Sequence, residues 1–269
     1  MLTKLIKYDI KSTWRDFTGV YLAILLGVIL IPLIINNISN GIINFAAGFI
    51  AFAIIISVIA IMIVNLFKIF NTNIFSKEGY LTMTLPVKTT QIVFSKLLVS
   101  TMWMVLTGIV SIVGLIIFIG IGSPEVFSEF INNFDKIISL ISSKSLFSII
   151  IVTLAIILSS VKEIAKLFLA CSIAHLKQLN RFRIVIGIIS YFFLSWLESF
   201  ILQIIEKVIV IFSPNAKEWL DLLISSQNNV FSLETFNAII GIGIIYGLVI
   251  ITAYICGIIW ILNNKLELD

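Results

Sequence analysis

The sequence predicts an all-α integral membrane protein with six transmembrane helices, in one membrane domain over residues 1–269. Three observations predict this class. Apolar residues make up 60% of the chain and charged ones only 12%, about half the charged share of an ordinary soluble domain. The apolar residues are gathered into long blocks and not spread at amphipathic spacing. A helix rising about 1.5 Å per residue needs about 20 apolar residues to cross a hydrocarbon core roughly 30 Å thick, and several blocks meet that length. A single water-soluble globule is excluded.

Residues 1–17 read as an interfacial amphipathic helix, because Leu2, Ile6, Ile10, Trp14 and Phe17 recur at helical spacing while Lys4, Lys7, Lys11 and Arg15 share another face. The spans follow at residues 18–35, 47–67, 97–121, 146–171, 184–203 and 237–262. Lys162, Glu163 and Lys166 interrupt the fourth and Glu198 lies in the fifth, so four or five spans is the alternative count. After the Ser123-Pro124 start signal, Val126, Phe127, Phe130, Ile131, Phe134, Ile137, Ile138 and Ile141 keep helical spacing and predict an amphipathic helix on the outer surface. Residues 204–236 are too long for a simple turn, and the apolar run 208–212 is too short to cross. That connection is expected to be extracellular and able to dip into the membrane and return.

Orientation follows from the basic residues of the connections, which stay on the cytoplasmic side. Lys4, Lys7, Lys11, Arg15, Lys68, Lys77, Lys88, Lys96, Lys177, Arg181, Arg183 and Lys265 fall on one side; only Lys136, Lys144, Lys207 and Lys217 fall on the other. Both termini are therefore expected in the cytoplasm. The net charge of +4 is spread over these short clusters, so membrane topology explains it and nucleic-acid binding does not.

Several chemistries lack their residues. One histidine, His175, and no HExxH or GxSxG leave no basis for hydrolase chemistry, and His175 is assigned no role. No glycine is followed by lysine, so the chain has no P-loop, and energy from a nucleotide has to come from a partner. Cys171 and Cys256 form no CxxC pair, and neither a disulfide nor a metal site is expected.

Three features remain. Gly243 and Gly247 form a GxxxG in the sixth span, a spacing that lets helices approach within the chain or between subunits. Lys162, Glu163 and Lys166 each cost about 2.5–3.5 kcal/mol near the bilayer centre. Glu163 and Lys166 are three apart and can pair, with Glu198 the alternative partner. Glu163, Lys166 and Glu198 are candidate lining for a pathway, against the simpler reading that the lysines snorkel to the inner headgroups. Finally, the connection 68–96 is far longer than a turn requires. Lys77, Glu78 and Tyr80 offer charged and aromatic contacts, Gly79 permits a sharp backbone change, and Pro86 ends one element before Thr89 or Thr90 caps the next.

The run Glu78-Gly79-Tyr80-Leu81-Thr82, then Thr84-Leu85-Pro86-Val87 and Ser95-Lys96, resembles the segment after the second span in ABC-2 type permeases, many of them from Gram-positive bacteria. The amphipathic start, six spans, two cytoplasmic ends and the closing Asn264-Lys265-Leu266-Glu267-Leu268 are similar to that family as well. The resemblance implies a type V exporter-like fold in a bacterial cytoplasmic membrane. It implies two permease chains, alike or different, assembled with two cytoplasmic ATPase subunits that bind ATP and Mg, this chain holding no cofactor. It further implies that 68–96 acts as a coupling helix, with Lys77, Glu78, Gly79, Tyr80, Leu81 and Pro86 as the contact residues, and that re-entrant helices precede the sixth span. The expected activity is efflux of a hydrophobic or amphipathic substrate such as a peptide or antimicrobial compound. A secondary transporter or channel, and a scaffold that recruits a cytoplasmic partner, are the competing readings.

Overall fold

A computed structural model describes residues 2–37, 41–75, 87–134, 143–176, 182–212 and 233–264. Among the described residues the fold is helical throughout: α1 (Leu2–Asn37), α2 (Gly41–Phe75), α3 (Thr89–Gly122), α4 (Pro124–Asn132), α5 (Ser143–Ala174), α6 (Arg183–Phe212) and α7 (Leu233–Asn264). All but α4 are long and apolar enough to cross a membrane, six in number.

Two three-helix groups make the body. Helix α1 packs on α3 and α2, and α5 packs on α7 and α6; α3 bridges to α5 and α7, and α2 to α5. The tightest packing lies in the N-terminal half of α1, the C-terminal half of α2, the start of α3 and the last turns of α5 and α7. There Phe17 stacks on Trp103 with centroids 4.6 Å apart. Phe70 stacks on Phe168 at 4.2 Å, and Ile74, Val93, Ala165 and Ile258 are wholly buried. At the opposite ends, large apolar side chains such as Phe45, Phe49, Ile112 and Leu115 are exposed. In water such a surface would aggregate; in lipid it is solvated. The apolar core thus sits at the end of the bundle that carries most of the basic residues.

All six long helices run past the expected spans, because a helix keeps its backbone hydrogen bonds satisfied wherever the next residues can hold the conformation. Residues 2–17 do not form an element of their own: α1 continues unbroken into the first span. The buried face of that stretch is Asp9, Thr13 and Phe17, packed against α3, while Trp14 is exposed. Helix α2 reaches Phe75 and α3 starts at Thr89, which turns Lys68 and Lys96 from connection residues into helix residues. Lys88 holds the N-cap position of α3 without a side-chain cap bond, and Thr89, expected as a cap, instead donates to Asn263 Oδ1 on α7 at 2.8 Å. Helix α6 extends to Phe212, so 208–212 belongs to it. On the far side, α4 begins at Pro124 as expected and ends at Asn132, with Phe127 against Gly120 of α3. Residues 135–142 and 213–232 lie outside the described residues, and with them the rest of the outer helix and the re-entrant segment.

His175 closes the last turn of α5: its Nδ1 is 2.9 Å from the Cys171 carbonyl, and its ring stacks on Phe75 at 4.0 Å, joining the ends of α2 and α5.

Candidate functional site

Polar side chains inside an apolar bundle concentrate in two seams. The first joins α5, α6 and α7. Lys162, Glu163 and Lys166 occupy one and a half turns of α5 well inside its length, and Glu198 lies midway along α6. Charges at such depth are costly unless paired, and here they are paired. Lys166 Nζ donates to both Glu163 oxygens at 3.0 Å and lies 3.1 Å from Glu198 Oε2. Lys162 Nζ donates to the same Oε2 at 3.2 Å. Tyrosines complete the carboxylates. Tyr191 donates to Glu163 Oε2 at 3.0 Å, Tyr254 of α7 donates to Glu198 Oε1, and Tyr246 reaches the Glu198 carbonyl at 3.4 Å. The Lys166 ammonium also sits 5.4 Å over the Tyr191 ring, a favourable position for a cation.

Two lysines against two glutamates give a neutral cluster whose depth is graded. The side chains of Lys166 and Glu198 are 4% and 8% exposed, that of Lys162 19% and that of Glu163 40%. The lysines thus turn toward Glu198 and Glu163 instead of reaching for headgroups. Among its described side chains, α6 buries no hydrophobic residue fully and only the half-buried Leu194 packs against the apolar core; Gly187 and Glu198 are its buried positions. Polar contacts are therefore a main tie between α6 and the body.

The second seam joins α1 and α3. The Lys96 ammonium meets Asp9 Oδ1, Ser95 donates to Asp9 Oδ2 at 2.8 Å, and Trp103 Nε1 donates to Thr13 Oγ1 at 2.9 Å. Tyr21 and Thr107 hydroxyls lie 3.3 Å apart one turn further along.

The structure thus brings Glu163, Lys166 and Glu198 into one cluster. Lys77, Glu78, Gly79, Tyr80, Leu81 and Pro86 lie outside the described residues. Among the described residues, Gly243 and Gly247 bring no second helix into close contact: a Cβ at either would meet nothing within 4 Å. Close approach is instead made at Gly257, where a Cβ would lie 3.2 Å from Leu169, at Gly27 against Ile54, and at Gly114 against Val28. Sequence reasoning missed Asp9, Tyr191 and Tyr254. Asp9 carried a signal, as an acid one turn from Thr13 on a face without lysine; the tyrosines look like interface residues until their partners are known. Among the described residues no group of three or more His, Cys, Asp or Glu is placed to hold a metal ion. Compared with protein-family models, curated proteins and solved structures, the chain matches none.

Proposed function

We propose that this chain is the membrane-spanning permease subunit of an ATP-driven exporter of hydrophobic or amphipathic substrates, resident in a bacterial cytoplasmic membrane with both termini inside. Hydrolysis belongs to a separate cytoplasmic ATPase that binds ATP and Mg, and a second permease chain completes the path. The observation that carries this reading is the position of the run 78–87 between α2 and α3. It leads directly into the part of α3 that Asp9, Ser95 and Lys96 tie to α1. A load applied at Lys77, Glu78, Gly79, Tyr80, Leu81 and Pro86 enters α3 where it is locked to α1 and, through Thr89 and Asn263, to α7. Packed elements joined this way move as bodies instead of deforming locally.

Copurification tests it. Replacing Glu78 and Tyr80 by Ala is expected to weaken association with an ABC ATPase or to uncouple its hydrolysis; unchanged association and transport would overturn the coupling assignment. The paired charges of α5 and α6 favour a second reading, a secondary transporter driven by an ion gradient, since intramembrane ionisable groups mark ion pathways. Transport that persists without ATP and stops when the gradient is collapsed selects that reading.

A further inference from the structure

Beside the ionic cluster, α5 and α7 line a half-open cavity of about 280 Å³. Its walls are apolar at Leu158, Ile240 and Ile244, and Gly243 and Gly247 leave it open by presenting no side chain. Lys162 is the one charged residue among its described lining, beside the polar Ser159 and Tyr246. We propose that this cavity binds the anionic headgroup of a single-chain amphiphile, with Lys162 as its counter-ion. The proposal names a substrate class for the exporter and so rests on that reading.

The cluster's own bonding makes Lys162 suited to this. An ammonium has three N–H donors; Lys162 uses one on Glu198 and lies 3.7 Å from Glu163 Oε1, beyond hydrogen-bond distance. Glu198 does not depend on it, because Lys166 lies against the same Oε2 and Tyr254 fills Oε1. Glu163 has both oxygens occupied by Lys166. Lys162 can therefore turn donors toward a ligand without stranding a carboxylate, which Lys166, buried among Glu163, Glu198 and Ser195, cannot. Pockets for small ligands are largely apolar with a few fixed polar groups and span about 300–1,000 Å³. This one lies just below that range, which fits one chain and a small head better than a two-chain lipid. A cationic head would meet the Lys162 ammonium across a medium of low dielectric, where like charges repel most.

Native mass spectrometry of the full chain in a neutral detergent, titrated with dodecyl phosphate, tests the site. Dodecyl phosphate is expected to form a one-to-one adduct, while dodecyltrimethylammonium and inorganic phosphate at the same concentrations form none. Lys162→Met should weaken the adduct about tenfold, as loss of a charge-assisted contact does, and Lys162→Arg should retain it. Gly247→Leu, which fills the cavity without touching the ionic cluster, should weaken it as much, and Gly241→Ala should not. Equal binding of the cationic amphiphile, binding of inorganic phosphate as tight as that of dodecyl phosphate, or an unchanged adduct in Gly247→Leu would each overturn the proposal. The assay needs no ATPase. A chain that binds dodecyl phosphate yet never associates with an ATPase keeps this site and loses the exporter reading, and the converse result does the opposite.

Discussion

Lys96 on α3 and Asp9 on α1 form an ion pair within the most tightly packed part of the bundle, with side chains 5% and 9% exposed, and Ser95 occupies the second carboxylate oxygen. Removing one partner leaves the other charged in a place it cannot hydrate. Asp9→Asn is expected to cost about 3–5 kcal/mol, the range for breaking a buried pair. Asp9→Leu combined with Lys96→Met should cost far less than either change alone, because no charge is stranded. Thermal unfolding of the purified variants, read as a double-mutant cycle, measures the difference; additive losses would mean the two residues act independently.

Asp16 of α1 and Lys68 of α2 provide the contrast on a different pair of neighbouring helices. They meet at 2.7 Å, between side chains 37% and 57% exposed. Water and headgroups already solvate both. Asp16→Asn should therefore change stability by less than about 1 kcal/mol and respond to added salt. A loss as large as that of Asp9→Asn would show that Asp16 is sealed from solvent in the working protein.

These two acids show what sequence can and cannot supply. The six long helices were legible because span length and hydropathy are properties of consecutive residues, unaffected by what packs where. Asp9 and Asp16 differ only in which residues of other helices face them, and that is set by the tertiary arrangement. Lys96 is the clearest case. Counted along the chain it belongs with the basic residues of a connection, and yet α3 starts before it and folds it onto α1. In the α5–α6–α7 cluster, the pairing of Glu163 with Lys166 follows from a spacing of three. The convergence of Lys162, Tyr254 and Glu198 depends on helices that are distant in sequence and could not be read from spacing.

The glycines teach the same lesson and yield a test. The GxxxG of α7 is open at both positions, whereas Gly257, ten residues beyond Gly247, has Leu169 at 3.2 Å from where a Cβ would stand. Gly257→Val should force α5 and α7 apart and cost about 1–3 kcal/mol, the usual range for overpacking. Gly243→Ala should be neutral or stabilising by up to about 1 kcal/mol, since it relieves glycine's excess backbone freedom in a helix. Melting temperatures of the two variants in one detergent decide it; a large loss at Gly243 would locate a close partner there, as an interface with a second chain would supply.

Glu198 and Glu163 share the same two lysines, yet their substitutions should not be equivalent. Glu198 is the buried polar anchor of a helix whose one described contact with the apolar core is the half-buried Leu194, and it accepts from Lys162, Lys166 and Tyr254. Glu198→Gln keeps the shape and removes the charge, leaving two ammonium groups to one half-exposed carboxylate. Glu163→Gln leaves Glu198 to hold both lysines. The first change should therefore cost several kcal/mol, approaching the 3–5 expected for a broken buried pair, and the second about 1 kcal/mol. The loss in Glu198→Gln should be concentrated in α6. Hydrogen exchange of amides around residue 198 should speed up while those of α1 and α3 keep their protection, because local opening follows the weakest set of buried contacts. Equal destabilisation by the two variants, or a loss of protection spread evenly over the bundle, would mean that α6 is held by something other than this carboxylate.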